Sequence, residues 1–289
     1  DAAGARWSRA IAGAGGDPTG RAALRGIVVG DRGDVPPALD DRWRAVGIYH
    51  VLSVSGLHLA VVAGLAFAVL RRLAAASPWG ARGQPARWAA LPALALALAY
   101  TLITGAQLAT LRALAVIGLT LIGQLAARPV RLIDALGAGA LAILLWRPAD
   151  LFDPSFQLSF VAALTLAAAP APPRGGVRGY LARGLASSAW VALTTAPLTA
   201  YHFHQVAVGG VIGNLVLTPA VELIALPLGL AGAALAAGPP IALAAWIVAI
   251  ADRGAGALAA ITPVGHVAIA AAPALALAAA LALAIAAGG

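Results

Sequence analysis

His50, Ser53, Ser55, Gly56 and His58 crowd the start of a stretch, Tyr49 to Leu70, that carries no formal charge and is long enough to cross a bilayer. Imidazoles and hydroxyls at membrane depth lack the water that would satisfy them. They therefore face a protein interior or an aqueous cavity, and such a cluster marks a functional candidate. On an unbroken helix the two imidazoles would stand about 80° apart. Ser55-Gly56 could interrupt the helix, and exposed backbone N–H groups, hydroxyls and imidazole would then form a nest for phosphate. The structural alternative uses the small Ser and Gly to bring helices close, with His50 bonding a neighbouring carbonyl. Two histidines without a nearby carboxylate make a poor metal site, which Glu222 or His202 would have to complete, so neither a metal nor any other cofactor is expected.

Other polar and aromatic residues fall in apolar surroundings further along. Phe156 and Phe160 are i and i+4 and share a helix face, with Ser159 beside them and Gln157 about 100° round, either as an aromatic platform or as packing between helices. Arg112 lies one turn into its helix after the Gly105-Ala106-Gln107 turn. Asn214, Thr218 and Glu222 form an i, i+4, i+8 row interrupted by Pro219. A carboxylate so placed is expected to be protonated, paired with an Arg such as Arg112, or set off any anion path. His202 and His204 could serve as base for Ser55 in an intramembrane serine hydrolase, since Val54-Ser55-Gly56 is similar in part to the Gly-x-Ser-Gly of rhomboid-type proteases, with Ser53 in place of the first Gly.

The elements that must position these residues follow from composition. With 61% hydrophobic and 10% charged residues, the apolar ones in blocks, the 289-residue chain reads as an all-α, polytopic integral membrane protein. Spans are expected at about 49–70, 88–104, 108–127, 132–146, 155–169 and 185–201. Two more fit into 203–251, broken near Pro219 or Pro227, and a last candidate is 267–287. That makes about eight or nine transmembrane helices, some short or discontinuous: Arg131 and Arg147 confine one span to the residues between them. Residues 1–45, with seven Arg and six Asp before residue 45, read as one or two amphipathic helices outside the core on the periplasmic side, and residues 46–289 as the membrane domain. Without an initiator Met or a signal peptide, the chain reads as a piece of a longer protein.

The net charge of +8 comes from 19 basic residues, all Arg. Nine of them, Arg71, Arg72, Arg82, Arg87, Arg128, Arg131, Arg174, Arg178 and Arg183, fall in three alternate loops, while the intervening connections hold only Arg147. This positive-inside pattern places the three loops in the cytoplasm and explains most of the basicity without a nucleic-acid footprint. Cys is absent, so neither disulfides nor thiolate ligands are available.

The run His50-x-x-x-x-Ser55-Gly56-x-His58 resembles the signature of the ComEC competence-protein family. Gly30-Asp31-Arg32 and Leu111-Arg112-Ala113 resemble further family elements, as does Pro154-Ser155-Phe156-Gln157-Leu158-Ser159-Phe160. Pro197 to His204 and Asn214 to Pro219 resemble its later pieces, in the same order. The resemblance implies an inner-membrane channel that conducts single-stranded DNA from periplasm to cytoplasm during natural transformation. It implies a periplasmic DNA receptor and a cytoplasmic DNA-translocating ATPase as partners, with a homo-oligomer left open. Such a channel is passive and not an enzyme: the family's nuclease pattern, His-x-His-x-Asp-His, is absent. Arg112 would then meet phosphate, and Phe156 and Phe160 would stack bases at about 1–3 kcal/mol each. A secondary transporter for a small anion is the other alternative, sharing interrupted helices but expected to carry an internal repeat.

Overall fold

The structure, a computed structural model, describes residues 2–77, 84–170, 175–207, 209–262 and 264–266. Three helices open it: α1 (Ala2–Gly13), α2 (Pro18–Val29) and α3 (Pro37–Ala45). After a 3₁₀ turn (Tyr49–Leu52) come α4 (Gly56–Ala76), α5 (Pro85–Ile103), α6 (Leu108–Leu125) and α7 (Leu132–Trp146). A second 3₁₀ turn (Pro148–Phe152) leads to α8 (Pro154–Ala168), α9 (Gly176–Phe203) and the short strand β1 (Gln205–Ala207). Then follow α10 (Gly210–Pro219), a π-helical segment (Ala220–Ala225), α11 (Leu226–Leu235), α12 (Gly238–Ile261) and β2 (Val264–His266).

Among the described residues, five helical runs are long and apolar enough to cross a membrane: α4, α5, α6, the continuous run Gly210–Leu235, and α12. Helices α7 and α8 are apolar but only 15 residues each, and α7 has the bounds that its flanking arginines dictate. Helix α9 is longer than its expected span and begins before Arg178 and Arg183. Large apolar side chains such as Leu73, Leu91, Leu145 and Leu235 are well exposed on these helices, as a lipid-facing surface requires. The chain is an all-α, multi-pass membrane protein. Strand β1 pairs antiparallel with β2, Gln205 opposite His266. This joins the ends of α9 and α12 on one side with two helical runs between them, as alternating crossings demand.

Two expectations need correction. The 203–251 region contains no break at Pro219 or Pro227. Proline cannot donate to the helix ladder, and the chain absorbs the two prolines by widening between them, with Leu226 N–H bonding the Val221 carbonyl five residues back. The N-terminal segment holds three helices, and they do not lie outside the core. Ile11, Leu24, Ile27, Leu39 and Trp43 are fully buried, in one cluster with Leu226, Ile241, Ala244 and Val248 of α11 and α12. Helix α2 starts where Asp17 accepts the Gly20 N–H at 2.9 Å ahead of Pro18, and stops at Gly30, whose φ of 80° suits glycine. The expected span at 267–287 lies outside the described residues.

Candidate functional site

The first polar span is interrupted, as the Ser55-Gly56 pair allows. Ser53 and Ser55 are extended between the Tyr49–Leu52 turn and α4. Ser55 caps α4: its Oγ accepts the His58 N–H at 3.3 Å, and the Ser55 N–H donates to His58 Nδ1 at 3.0 Å. The spacing Ser55-x-x-His58 is thus a capping box with imidazole in the usual Glu or Gln position. The box occupies two of the backbone donors that a phosphate nest would have used. Gly56 marks a close approach, since a Cβ there would meet Ala113 Cβ at 3.1 Å. Ser53 Oγ donates to the His50 carbonyl at 3.3 Å.

Beyond the cap, His58 Nε2 lies 3.1 Å from Glu222 Oε1, with side-chain exposures of 0% and 1%. The contact has the distance of an ion pair without hydrogen-bond alignment: His58 Nε2 and both Glu222 oxygens lack a hydrogen-bond partner, as does buried Tyr100 Oη. Glu222 is carried by the π-helical segment, a widened turn of the kind that recurs at functional sites. Tyr100 and His50 both lie within electrostatic range of Glu222. His50 is exposed. Of the alternatives open for Glu222, pairing with Arg112 is the one the structure does not show: its neighbour is His58. Among the described residues no third ligand-type side chain joins them at coordinating range.

Arg112 belongs to a second cluster. It is 4% exposed, and its Nη2 donates to Ser155 Oγ at the start of α8. Nε and Nη1 have no hydrogen-bond partner. Asp150 and Asp153 are within electrostatic range, but Asp150 pairs with Arg147 at 3.1 Å and Asp153 caps α8 by accepting the Phe156 N–H at 2.9 Å. Gln157 Nε2 donates to the Leu151 carbonyl, and its Oε1 meets His202 Nε2 at 2.8 Å, tying α8 to α9. The buried Thr165 and Thr194 hydroxyls, 2.9 Å apart, tie the same pair deeper down. Arg112 and Ala113 are consecutive, about 100° apart on α6, so α6 separates the two clusters.

Phe156 and Phe160 do share a face, with ring centroids 4.5 Å apart. Phe156 is buried, however, and Phe160 packs against Val116, Ala135 and Leu136. In this conformation they serve as packing between helices and not as an open platform. Ser159 is exposed. Asn214 accepts from Thr218 at 3.1 Å and does not extend to Glu222. His204 ends α9 in the left-handed region, exposed, while His202 is held by Gln157. Ser55 Oγ is engaged with the His58 backbone and, among the described residues, has no contact with either candidate base. The hydrolase geometry is thus not assembled.

Sequence reasoning missed Tyr100 and the cap, though the Ser-x-x-His spacing was a usable signal for the latter. It also left the Gly30-Asp31-Arg32 landmark without a role. Asp31 gathers Ser8 and Arg25, tying α1 to α2. Arg32 chelates Asp40 at 2.9 and 3.0 Å and lies over the Tyr49 ring, 5.0 Å from its centroid. Arg44 covers the same ring at 3.7 Å. The landmark clamps the N-terminal helices onto the turn that carries His50.

The vestibule expected around His50, Ser55 and His58 is accordingly narrower. In the Cys-free chain, His50→Cys should react with small hydrophilic thiol reagents at least about tenfold faster than His58→Cys, because thiolate chemistry needs access and His58 has none. Equal rates, measured by mass spectrometry on folded protein, would contradict the packed cap.

The fold defines a polytopic membrane protein with polar clusters at membrane depth. The family model described as Competence protein matches residues 27–288, and the chain belongs to that family. It is 28% identical over 215 residues to ComE operon protein 3 of Bacillus subtilis, covering 74% of this chain and 26% of that protein. It is 35% identical over 106 residues to Competence protein ComA of Neisseria gonorrhoeae, covering 37% of this chain and 15% of that protein. The chain therefore spans about a quarter or less of these relatives' length. No solved structure matches.

Proposed function

We propose that this chain is the membrane conduit for single-stranded DNA in competence, carrying the strand from periplasm to cytoplasm. The observation that carries the reading is Arg112: a buried guanidinium on a spanning helix, with Nε and Nη1 free of hydrogen-bond partners and Ser155 holding it from one side. A cation at membrane depth that is positioned but not neutralised by direct pairing suits a passing phosphate. Family membership supports DNA as the source of that phosphate. The Arg-rich alternate loops support a cytoplasmic exit, with the turn bearing His50 and the N-terminal segment on the periplasmic side of the inner membrane. A periplasmic DNA receptor would deliver the strand and a cytoplasmic ATPase would draw it in.

The test follows labelled DNA into the cytoplasm of transformable cells that carry the full-length protein or its variants. Arg112→Gln should lower entry by about tenfold or more, as expected when a phosphate contact is lost, with protein abundance and extracellular DNA binding retained. Arg112→Lys should restore part of it. Normal entry through a stably inserted Arg112→Gln protein would overturn the reading.

A further inference from the structure

Four buried polar atoms without a hydrogen-bond partner converge where the interrupted start of α4 meets the π-helical segment: His58 Nε2, Glu222 Oε1 and Oε2, and Tyr100 Oη. The cap determines where the His58 proton resides. Nδ1 accepts the Ser55 N–H at 3.0 Å, and an accepting nitrogen carries no proton, so the imidazole proton is on Nε2, toward Glu222. Protonating His58 further would break the capping box, and binding a metal through Nε2 would require an imidazolate. Glu222 is the group here that can change charge while the helix start stays intact.

No cation faces it. Around the π-helical segment, α4 presents His58, α5 presents Tyr100, and the Tyr49–Leu52 turn presents His50. Helix α12, packed against the same segment, carries Asp252, which is held by Arg42 and Trp43, and Arg253, which reaches Asp17 at 3.7 Å. Helices α10 and α11 contain no titratable residue. A carboxylate with one neutral imidazole N–H and one phenol for company is under-compensated at this depth, and taking up a proton relieves it.

We propose that Glu222 is an intramembrane proton-binding site whose loading state is felt by the His58 cap. In loading, a proton passes from hydronium to a Glu222 oxygen, leaving water; unloading reverses the transfer. Ionised Glu222 pulls on the His58 Nε2–H, and protonated Glu222 releases it, so the interrupted start of α4 senses the loading state. The proposal does not depend on what cargo the conduit takes.

Infrared spectroscopy of the full chain in lipid, in heavy water, reads the acid directly through its C=O stretch. Glu222 is the only Glu of the sequence, so ¹³C-glutamate labelling assigns the band without substitution, and Glu222→Gln should remove it. The labelled band should grow as the medium is acidified. His58→Ala, which removes the imidazole 3.1 Å from the carboxyl, should strengthen the band at a given pH. A labelled band that is absent throughout, or constant throughout, would overturn the proton site.

Discussion

Gly20→Leu is expected to leave no folded protein in detergent extracts, whereas Gly64→Leu should extract and melt like the parent. A Cβ on residue 20 would stand 1.9 Å from the Ala245 carbonyl oxygen and 2.8 Å from its carbonyl carbon. Those atoms are helix backbone and cannot turn aside as a side chain would. Helix α2 would have to leave α12, uncovering Leu24, Ile27 and Val28, all fully buried. Exposing such side chains costs about 1.5–3 kcal/mol each, so three of them approach the whole stability of about 5–15 kcal/mol that a folded domain has. Gly64 has nothing within 4 Å of its added Cβ and is exposed. Fluorescence-detected gel filtration separates the outcomes, and a monodisperse Gly20→Leu peak at the parental position would mean that α2 does not pack on α12.

Asp252→Ala should destabilise the protein by about 2–4 kcal/mol, the range for unpairing buried donors and one ion pair. Asp252 accepts from Arg42 Nε at 3.0 Å, Arg42 Nη2 at 2.6 Å and Trp43 Nε1 at 3.1 Å. Trp43 is fully buried, so its orphaned N–H cannot turn to water. Arg42 is about a third exposed, and water recovers part of its loss. Asp252→Asn keeps one acceptor oxygen and should cost less than half as much in the thermal unfolding midpoint, with faster proteolysis of α3 in both variants. Equal melting of parent and Asp252→Ala would show that α3 is not anchored through this carboxylate.

Part of this architecture was readable before any coordinates. Blocks of apolar residues between arginines place α7 to the residue and α6 nearly so, because the cost of burying charge at membrane depth acts locally along the chain. The ordered landmarks from Gly30 to Pro219 point to the family that the model over residues 27–288 assigns. The N-terminal helices were misjudged because seven Arg and six Asp dominate their average, while their apolar residues are covered on folding by α11, α12, the π-helical segment and the Tyr49–Leu52 turn. Arg42 and Arg25 meet their carboxylates through folding, and a composition count cannot distinguish a paired charge from a solvated one.

The same limit governs the polar clusters. The sequence by itself determined which side chains are too polar for lipid, namely His50, His58, Arg112, Gln157, His202 and Glu222, and that a span carrying Ser55-Gly56 can break. Hydropathy and backbone propensity are properties of a residue and its near neighbours. Which of those groups meet was decided only by tertiary structure. The break at Ser53–Ser55 redirects α4, the widened turn between Pro219 and Pro227 sets where Glu222 points, and the packing of α4 against α6 through Gly56 brings His58, not Arg112, to the carboxylate. A pairing between distant helices depends on how their backbones approach, and side-chain shape across the whole bundle fixes that approach.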